Sequence, residues 1–367
     1  YYGEDNVFWQ QLKEHPDYDE FWQERGLVQY MKDVKPAVLT VGGLFDAEDL
    51  YGPFEIYKSL ENNSDNFNAM VFGPWSHGDW ARLKKRQAVG NVYFGDDLSE
   101  NFQMNYETKF FNHFLKGEGE FEAAEATVFD TGTMQWDEYE VWPPEHTTAT
   151  DYFLGDNQSL SMEADASFEN KFVSDITKPV PFTEDIKVTF TPRKFMTDDQ
   201  RFAARRPDVM IYETEVLEDD LKLSGEILAD LEVATTGSAA DWIVKIIDVY
   251  PSDTKNTDDV QDHLKLSNYH MMVRSEVFRG RYRDSFSDPK PFVPNQKTNV
   301  EFALQDVNHT FKKGHKLQIQ VQSTMFPYID RNPQKYVDNI FEANEEDFET
   351  HTHTIFGDSK IVLPLIK

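Results

Sequence analysis

The 367-residue sequence contains no cysteine. Disulfides, thiolate nucleophiles and thiolate metal sites are therefore excluded, and the redox state of the compartment leaves no mark on the chain. No run of 18 consecutive apolar residues occurs, so no stretch reads as a membrane-crossing helix. Basic residues are scarce, 36 against 66 acidic ones, for a formal net charge of −30. Such a charge repels phosphate backbones and anionic lipid, which argues against nucleic-acid and membrane partners; it favours solubility and fits a saline habitat. The chain opens on Tyr1 with no charged-then-apolar leader behind it, and is expected to begin inside a longer polypeptide.

Apolar material is ample. Hydrophobic residues make up 39% and aromatics 14%, enough for the two domains that this length implies. Residues 1–34 read as helical, with Phe8, Trp9, Leu12, Phe21 and Trp22 at helical spacing on either side of Pro16. Pro36 to Gly43 is a continuous apolar run ending in glycines, as a buried parallel strand would be. Residues 52–63 predict a helix with Phe54, Ile56, Tyr57 and Leu60 inward, and Asn68–Gly73 a second buried strand. Strand, helix, strand over this distance is a βαβ unit. Residues 99–116 predict an amphipathic helix with Phe102, Tyr106, Phe110, Phe111 and Phe114 on one side, ended by Gly117 and Gly119. From about residue 122 short β-rich runs follow, broken by Gly, Asp, Asn and Pro; they include 225–234, 242–250, 271–278, 299–304 and 316–322. This pattern points to a sandwich or jelly roll. The acidic patches Glu213–Asp220 and Glu342–Glu349 read as solvated loops or helix faces.

The chemistry-bearing residues sit just past the two buried strands. The first runs into Gly42-Gly43-Leu44-Phe45-Asp46-Ala47-Glu48-Asp49, the second into Gly73-Pro74-Trp75-Ser76-His77-Gly78. Ligands meet a parallel sheet at the carboxyl ends of its strands, so Asp46 and His77 share one edge. An α/β-hydrolase needs this arrangement, with Ser, then Asp or Glu, then His in chain order. The carboxylate fixes the imidazole tautomer, and the imidazole takes the serine proton. The plain alternative is that Asp46 caps the next helix and His77 is an ordinary loop histidine. Glu48, Asp49 and Asp79 crowd the same region. Like charges raise one another's pKa, unless the cluster binds a cation such as a metal or a substrate ammonium; a helix N-terminus welcoming acids is the other reading. No Gly-x-Ser-x-Gly elbow occurs, and Ser76 lacks a strand-to-helix turn, so the nucleophile is expected upstream of Tyr1. His351 and His353 alternate on a strand but lack a third metal ligand, and Arg279, Arg281 and Arg283 read as structural ion-pair formers. No twelve-residue loop marks a calcium site.

The runs Val41–Asp49 and Gly73–His77 closely resemble the α-amino acid ester hydrolases, which belong with cocaine esterase, the cephalosporin acylases and the X-Pro dipeptidyl-peptidases. His15–Gln23 resembles the end of their helical cap; 199–208, 302–307 and 330–334 are similar to their C-terminal jelly roll. The resemblance implies an α/β plus β fold: cap end at 1–34, the C-terminal part of an α/β-hydrolase core at 35–121, then linker and jelly-roll β-sandwich at 122–367. It implies Asp46 as triad acid, His77 as triad base, and Glu48 with Asp49 as two members of a carboxylate cluster that receives the substrate's α-ammonium. Phe45 stands where a tryptophan is expected, which would reshape the acyl pocket. The implied activity is an acyl-enzyme serine hydrolase on esters or amides of α-amino acids, β-lactam side chains included. A general esterase, a cephalosporin acylase or an X-Pro dipeptidyl-peptidase-like enzyme on the same scaffold stands beside it, and a non-catalytic binding fragment stands as the third reading. No cofactor or metal is implied. The partners are a small ester or amide and the upstream segment carrying the serine, with a homo-oligomer left open. The resemblance also implies a periplasmic or secreted location.

Overall fold

The computed structural model describes residues 6–165, 167–185, 193–256, 260 and 264–366. Its opening segment forms two short helices, α1 (Val7–Glu14) and α2 (Glu20–Gln23), started by Asn6 and Asp19 side chains that accept from the Trp9 and Phe21 amides. Neither buries a residue completely. Trp9 meets Phe341 edge-on at 5.3 Å, but Phe8 stays exposed.

Strands β1 (Val38–Gly43) and β2 (Asn68–Gly73) pair in parallel, Val38 opposite Asn68 through Gly43 opposite Gly73. Helix α3 (Tyr51–Asn63) joins them and buries Phe54, Tyr57 and Leu60, while Ile56 is only half-buried. The Phe54 ring stacks on Phe72 of β2 at 3.8 Å, and burial of each such side chain contributes about 2–3 kcal/mol. After β2 comes a hairpin, β3 (Arg86–Val89) with β4 (Val92–Asp96). A helical stretch then covers 98–116, where α-turns (Leu98–Phe102, Thr108–Phe111) alternate with wider π-turns (Gln103–Glu107, Asn112–Lys116). The π-turns rotate the apolar face. Phe102 and Phe110 are buried as expected, but Phe111 and Phe114 are 49% and 38% exposed. Gly117, at φ 69°, ends the stretch.

The α/β sheet runs on past residue 121, into the stretch read as linker. Strand β5 (Ala126–Asp130) pairs in parallel with β2, and β6 (Gln135–Tyr139) returns antiparallel to β5, giving a sheet of order β1-β2-β5-β6. Every residue of β5 is buried; a strand covered on both faces belongs inside an α/β layer, and a five-residue segment alone does not reveal which sheet it joins.

The remaining strands build two sheets. One contains β7 (Thr147–Leu154), β8 (Leu160–Ser161), β9 (Glu169–Ser174), β11 (Leu221–Thr235), β14 (Thr298–Phe311), β16 (His351–Phe356) and β17 (Lys360–Ile366). Its spine is β11, which pairs with β14 along one edge and divides the other between β17 and β16. The second sheet has order β10-β15-β12-β13, built from β10 (Met210–Glu213), β12 (Asp241–Val249), β13 (His270–Arg279) and β15 (Lys316–Gln322). Its central strand β12 is buried from Asp241 to Asp248. Trp242, Val244 and Ile246 enter the core shared with the larger sheet, whereas Ile243 and Ile247 enter the core shared with the α/β layer. The four-stranded sheet is thus the middle of three layers. Polar pins also tie the larger sheet to the α/β layer: Asp306 on β14 accepts from Lys58 Nζ of α3 and from Trp142 Nε1, each at 2.8 Å.

Candidate active site

The glycines at the strand ends let two loops touch. A Cβ on Gly43 would run into the Trp75 backbone carbonyl, and one on Gly73 into the Trp75 indole. The amides of Leu44 and Phe45 donate to the carbonyls of Gly73 and Trp75, at 2.9 and 3.0 Å. The segment after β1 is thereby laced to the segment after β2, and the side chains that follow face each other.

Asp46 Oδ2 lies 3.0 Å from His77 Nδ1, and Oδ1 lies 3.3 Å from it. Asp46 Oδ1 also accepts from the amides of Glu48 and Asp49 at 2.9 and 3.1 Å. Four acceptor contacts hold the carboxylate in one orientation, and its side chain is 1% exposed. His77 is 40% exposed. Nε2, the nitrogen turned away from Asp46, lies 4.0 Å from Glu48 Oε2, and Nδ1 lies 3.7 Å from Asp49 Oδ2. Both of those carboxylates are about two-thirds exposed (65% and 67%). The structure therefore brings all four sequence-selected residues around one imidazole: a buried carboxylate behind it and two open ones beside it. An anionic rim of this kind attracts a cation from solution.

Three neighbours behave otherwise. Asp79 turns inward, accepting from Ser76 Oγ at 2.6 Å and pairing with Arg82 at 3.1 Å and Lys84 at 2.8 Å, so it stands apart from the open carboxylates. Ser76 is buried in that contact, its hydroxyl turned to Asp79. Phe45 is 2% exposed and packs against Phe94 at 4.8 Å; its ring belongs to the core. Arg279 pairs with Asp241 and Asp330, whereas Arg281 donates to the Val337 and Asp338 carbonyls and Arg283 to three more carbonyls. His353 is buried between the Phe172 and Trp242 rings. Among the described residues no group of three or more His, Asp or Glu side chains forms a metal-holding cluster.

Sequence reasoning missed the far wall. A cleft of about 560 Å³ opens between the 46–52 loop and the middle sheet, with Glu48, Asp49, Glu276, Arg279, Met325 and Tyr328 among its lining. Tyr328 Oη donates to the Ala47 carbonyl at 2.9 Å, and Arg274 Nη1 donates to the Leu44 carbonyl at 3.0 Å. Neither residue stands in a local pattern that marks it.

Residues 2–79, which contain Asp46 and His77, match the family model of the X-Pro dipeptidyl-peptidase (S15 family), and residues 112–360 match that of the X-Pro dipeptidyl-peptidase C-terminal non-catalytic domain. The chain belongs to the X-Pro dipeptidyl-peptidase family. Within it, the cocaine esterase of Rhodococcus sp. (strain MB1 Bresler) is 25% identical over 339 residues, covering 88% of this chain and 54% of that protein. A putative serine esterase of Mycobacterium tuberculosis is 22% identical over 315 residues, 80% of this chain and 46% of that protein. Among solved structures, an aminopeptidase from a marine-sediment Thaumarchaeota archaeon superposes with a TM-score of 0.92 at 34% identity, over 99% of this chain and 61% of that one. An α-amino acid ester hydrolase superposes at 0.90, also with 34% identity and the same coverage. A CocE/NonD family hydrolase from Staphylococcus aureus shares the fold at TM-score 0.63 and 17% identity, over 99% of this chain and 60% of that one. The fold is that of an α/β-hydrolase with a C-terminal β domain, in a family of serine hydrolases and esterases. The chain spans about half the length of the curated relatives it matches (54% and 46%).

Proposed function

We propose that this chain supplies the acid and the base of a serine hydrolase that cleaves esters or amides whose acyl part carries a free α-amine. The observation that carries the reading is the single imidazole of His77, backed by buried Asp46 at 3.0 Å and flanked by the open carboxylates of Glu48 and Asp49. Asp46 holds His77 with Nδ1 toward itself, leaving Nε2 to accept a proton from a serine and return it to the leaving group. The serine comes from a part of the protein outside these residues. It attacks the carbonyl carbon, the ester or amide bond breaks, and water attacks the resulting acyl-enzyme while His77 again takes the proton. Glu48 and Asp49 pair with the α-ammonium and so place the carbonyl. The aminopeptidase and the α-amino acid ester hydrolase among the relatives both carry names that refer to an amino group on the substrate, which supports this choice over a general esterase or acylase.

The test uses the complete polypeptide, comparing kcat/KM for phenylglycine methyl ester with that for phenylacetic methyl ester in wild type and in Glu48→Ala. The amine-bearing ester is expected to be strongly preferred, with the preference cut about five-fold by loss of one exposed carboxylate. Equal rates for the two esters, unmoved by the mutation, would leave a general esterase or acylase in its place.

A further inference from the structure

We infer that Tyr328 and Arg274, both in the domain described as non-catalytic, are positioning residues that hold the Asp46 loop by its backbone. The inference rests on the assignment of Asp46 and His77 as acid and base.

The loop has two sides. Its amide side is tied to the strand end that carries His77, through Leu44 N to the Gly73 carbonyl and Phe45 N to the Trp75 carbonyl. Its carbonyl side is tied to the β domain. Arg274 Nη1 donates to the Leu44 carbonyl at 3.0 Å, while Nη2 donates to the Asp306 carbonyl of β14 at 2.9 Å. Tyr328 Oη donates to the Ala47 carbonyl at 2.9 Å. These two carbonyls bracket Phe45 and Asp46. With both sides tied, the Asp46 carboxylate cannot slide relative to the His77 ring without breaking a hydrogen bond.

Each donor is unusual for its surroundings. Arg274 is 3% exposed, makes no ion pair among the described residues, and leaves its Nε without a hydrogen bond. A buried guanidinium normally sits against a carboxylate, because its desolvation is otherwise uncompensated; here it faces main-chain carbonyls of two different layers. Burial pulls Arg274 down to about 10, so it remains charged at neutral pH. The Tyr328 ring is fixed by Phe195 at 4.7 Å and Phe182 at 6.0 Å. Desolvation, then the carboxylates of Glu276, Asp46 and Glu48, push its phenol above the ordinary range, so it stays a donor wherever the enzyme works.

The experiment measures kcat, KM and the pH profile of the complete polypeptide for Tyr328→Phe, Arg274→Lys and Asp46→Asn, with Tyr212→Phe as control. Tyr212 is a fully buried β-domain tyrosine whose hydroxyl bonds Asn170, remote in sequence from the loop. Tyr328→Phe is expected to lower kcat about ten-fold with KM changed less than about two-fold, since a small misplacement of a reacting group is costly. The acidic limb of kcat/KM should move to lower pH as the imidazolium loses part of its counterion, and Tyr328→Phe should cost little more when added to Asp46→Asn. Tyr212→Phe should lower Tm and leave kcat and the profile alone. Wild-type kcat and pH profile in Tyr328→Phe would overturn the inference while leaving the acid–base assignment intact. Wild-type kcat in Asp46→Asn would overturn both. If Arg274→Lys fails to fold, Tyr328→Phe decides alone.

Discussion

His77 Nδ1 sits 3.0 Å from Asp46 Oδ2 in a contact whose two partners differ sharply in exposure, the carboxylate at 1% and the imidazole at 40%. The carboxylate is fixed and dry, and the imidazole is reachable. Asp46→Asn keeps the shape and the two amide contacts but offers His77 a donor on one side, which permits the wrong tautomer. In the complete polypeptide kcat is expected to fall about 10³–10⁴-fold with Tm little changed. Steady-state kinetics and calorimetry on the same preparation check it.

The open carboxylates make a separate prediction about salt. Glu48 and Asp49 are largely exposed, and the whole chain carries a charge of −30. Attraction of a cationic substrate should therefore weaken as the Debye length shortens from about 10 Å at 0.1 M to about 3 Å at 1 M. KM for an amine-bearing ester is expected to rise several-fold over that range, and KM for its amine-free counterpart to stay level. Parallel titrations with sodium chloride read the difference.

Gly43→Ala probes the lacing of the two loops. The new methyl group would collide with the Trp75 carbonyl, and backbone cannot swing aside as a side chain can. A loss of about 1–3 kcal/mol is expected, along with a fall in kcat, because the collision lies between Asp46 and His77. Gly52→Ala, where nothing lies within 4 Å, should do neither. Urea denaturation with activity assays separates the two.

Acid sensitivity should concentrate at His353. Burial pushes its imidazole down to about 3 from an ordinary 6.5. The folded state then binds fewer protons than the unfolded state between those pH values, so stability is intact above pH 6.5 and drains away as pH falls through the window. From pH 7 to pH 5 this one group removes roughly 2 kcal/mol. His353→Phe, flanked by the Phe172 and Trp242 rings, should flatten the pH dependence of urea unfolding over that interval.

Lys245 predicts the same direction in a higher window. It is fully buried, its Nζ donates to Gln200 Oε1 at 3.0 Å, and burial lowers it from 10.5 to about 7. Below pH 7 the folded state bears the full cost of the buried charge; between 7 and 10.5 the unfolded state binds the extra proton, so stability rises with pH. Lys245→Met is expected to stabilise by roughly 2 kcal/mol at pH 6, after allowance for the Gln200 oxygen left without a donor, and by progressively less toward pH 10.

Much of the α/β half was legible in the chain because its signals are local. Val38–Gly43 and Asn68–Gly73 are unbroken apolar runs closed by glycine, and the structure makes both of them strands. Asp46 and His77 each stand a few residues beyond a strand end, and the structure sets them 3.0 Å apart. What was illegible was non-local. Arg274 reaches Leu44, and Tyr328 reaches Ala47, across more than 200 residues of sequence (230 and 281), and no periodicity encodes such a meeting. Phe111 and Phe114 obey a 3.6-residue period, yet π-turns carry them outward. Residues 126–130, with Thr127 and Asp130 among them, make no apolar run, so the place of β5 beside β2 had to come from the fold.

Strand β17 is latest in sequence among the described strands, yet it lies inside the seven-stranded sheet, between β7 and β11. A chain emerging from the ribosome presents β7 long before β17 exists, so two strand edges stay open until β17 itself has been made. Pairing across such separations is slow and leaves edges that invite other chains. Products of premature termination before β17 should accumulate as aggregates rather than as folded protein.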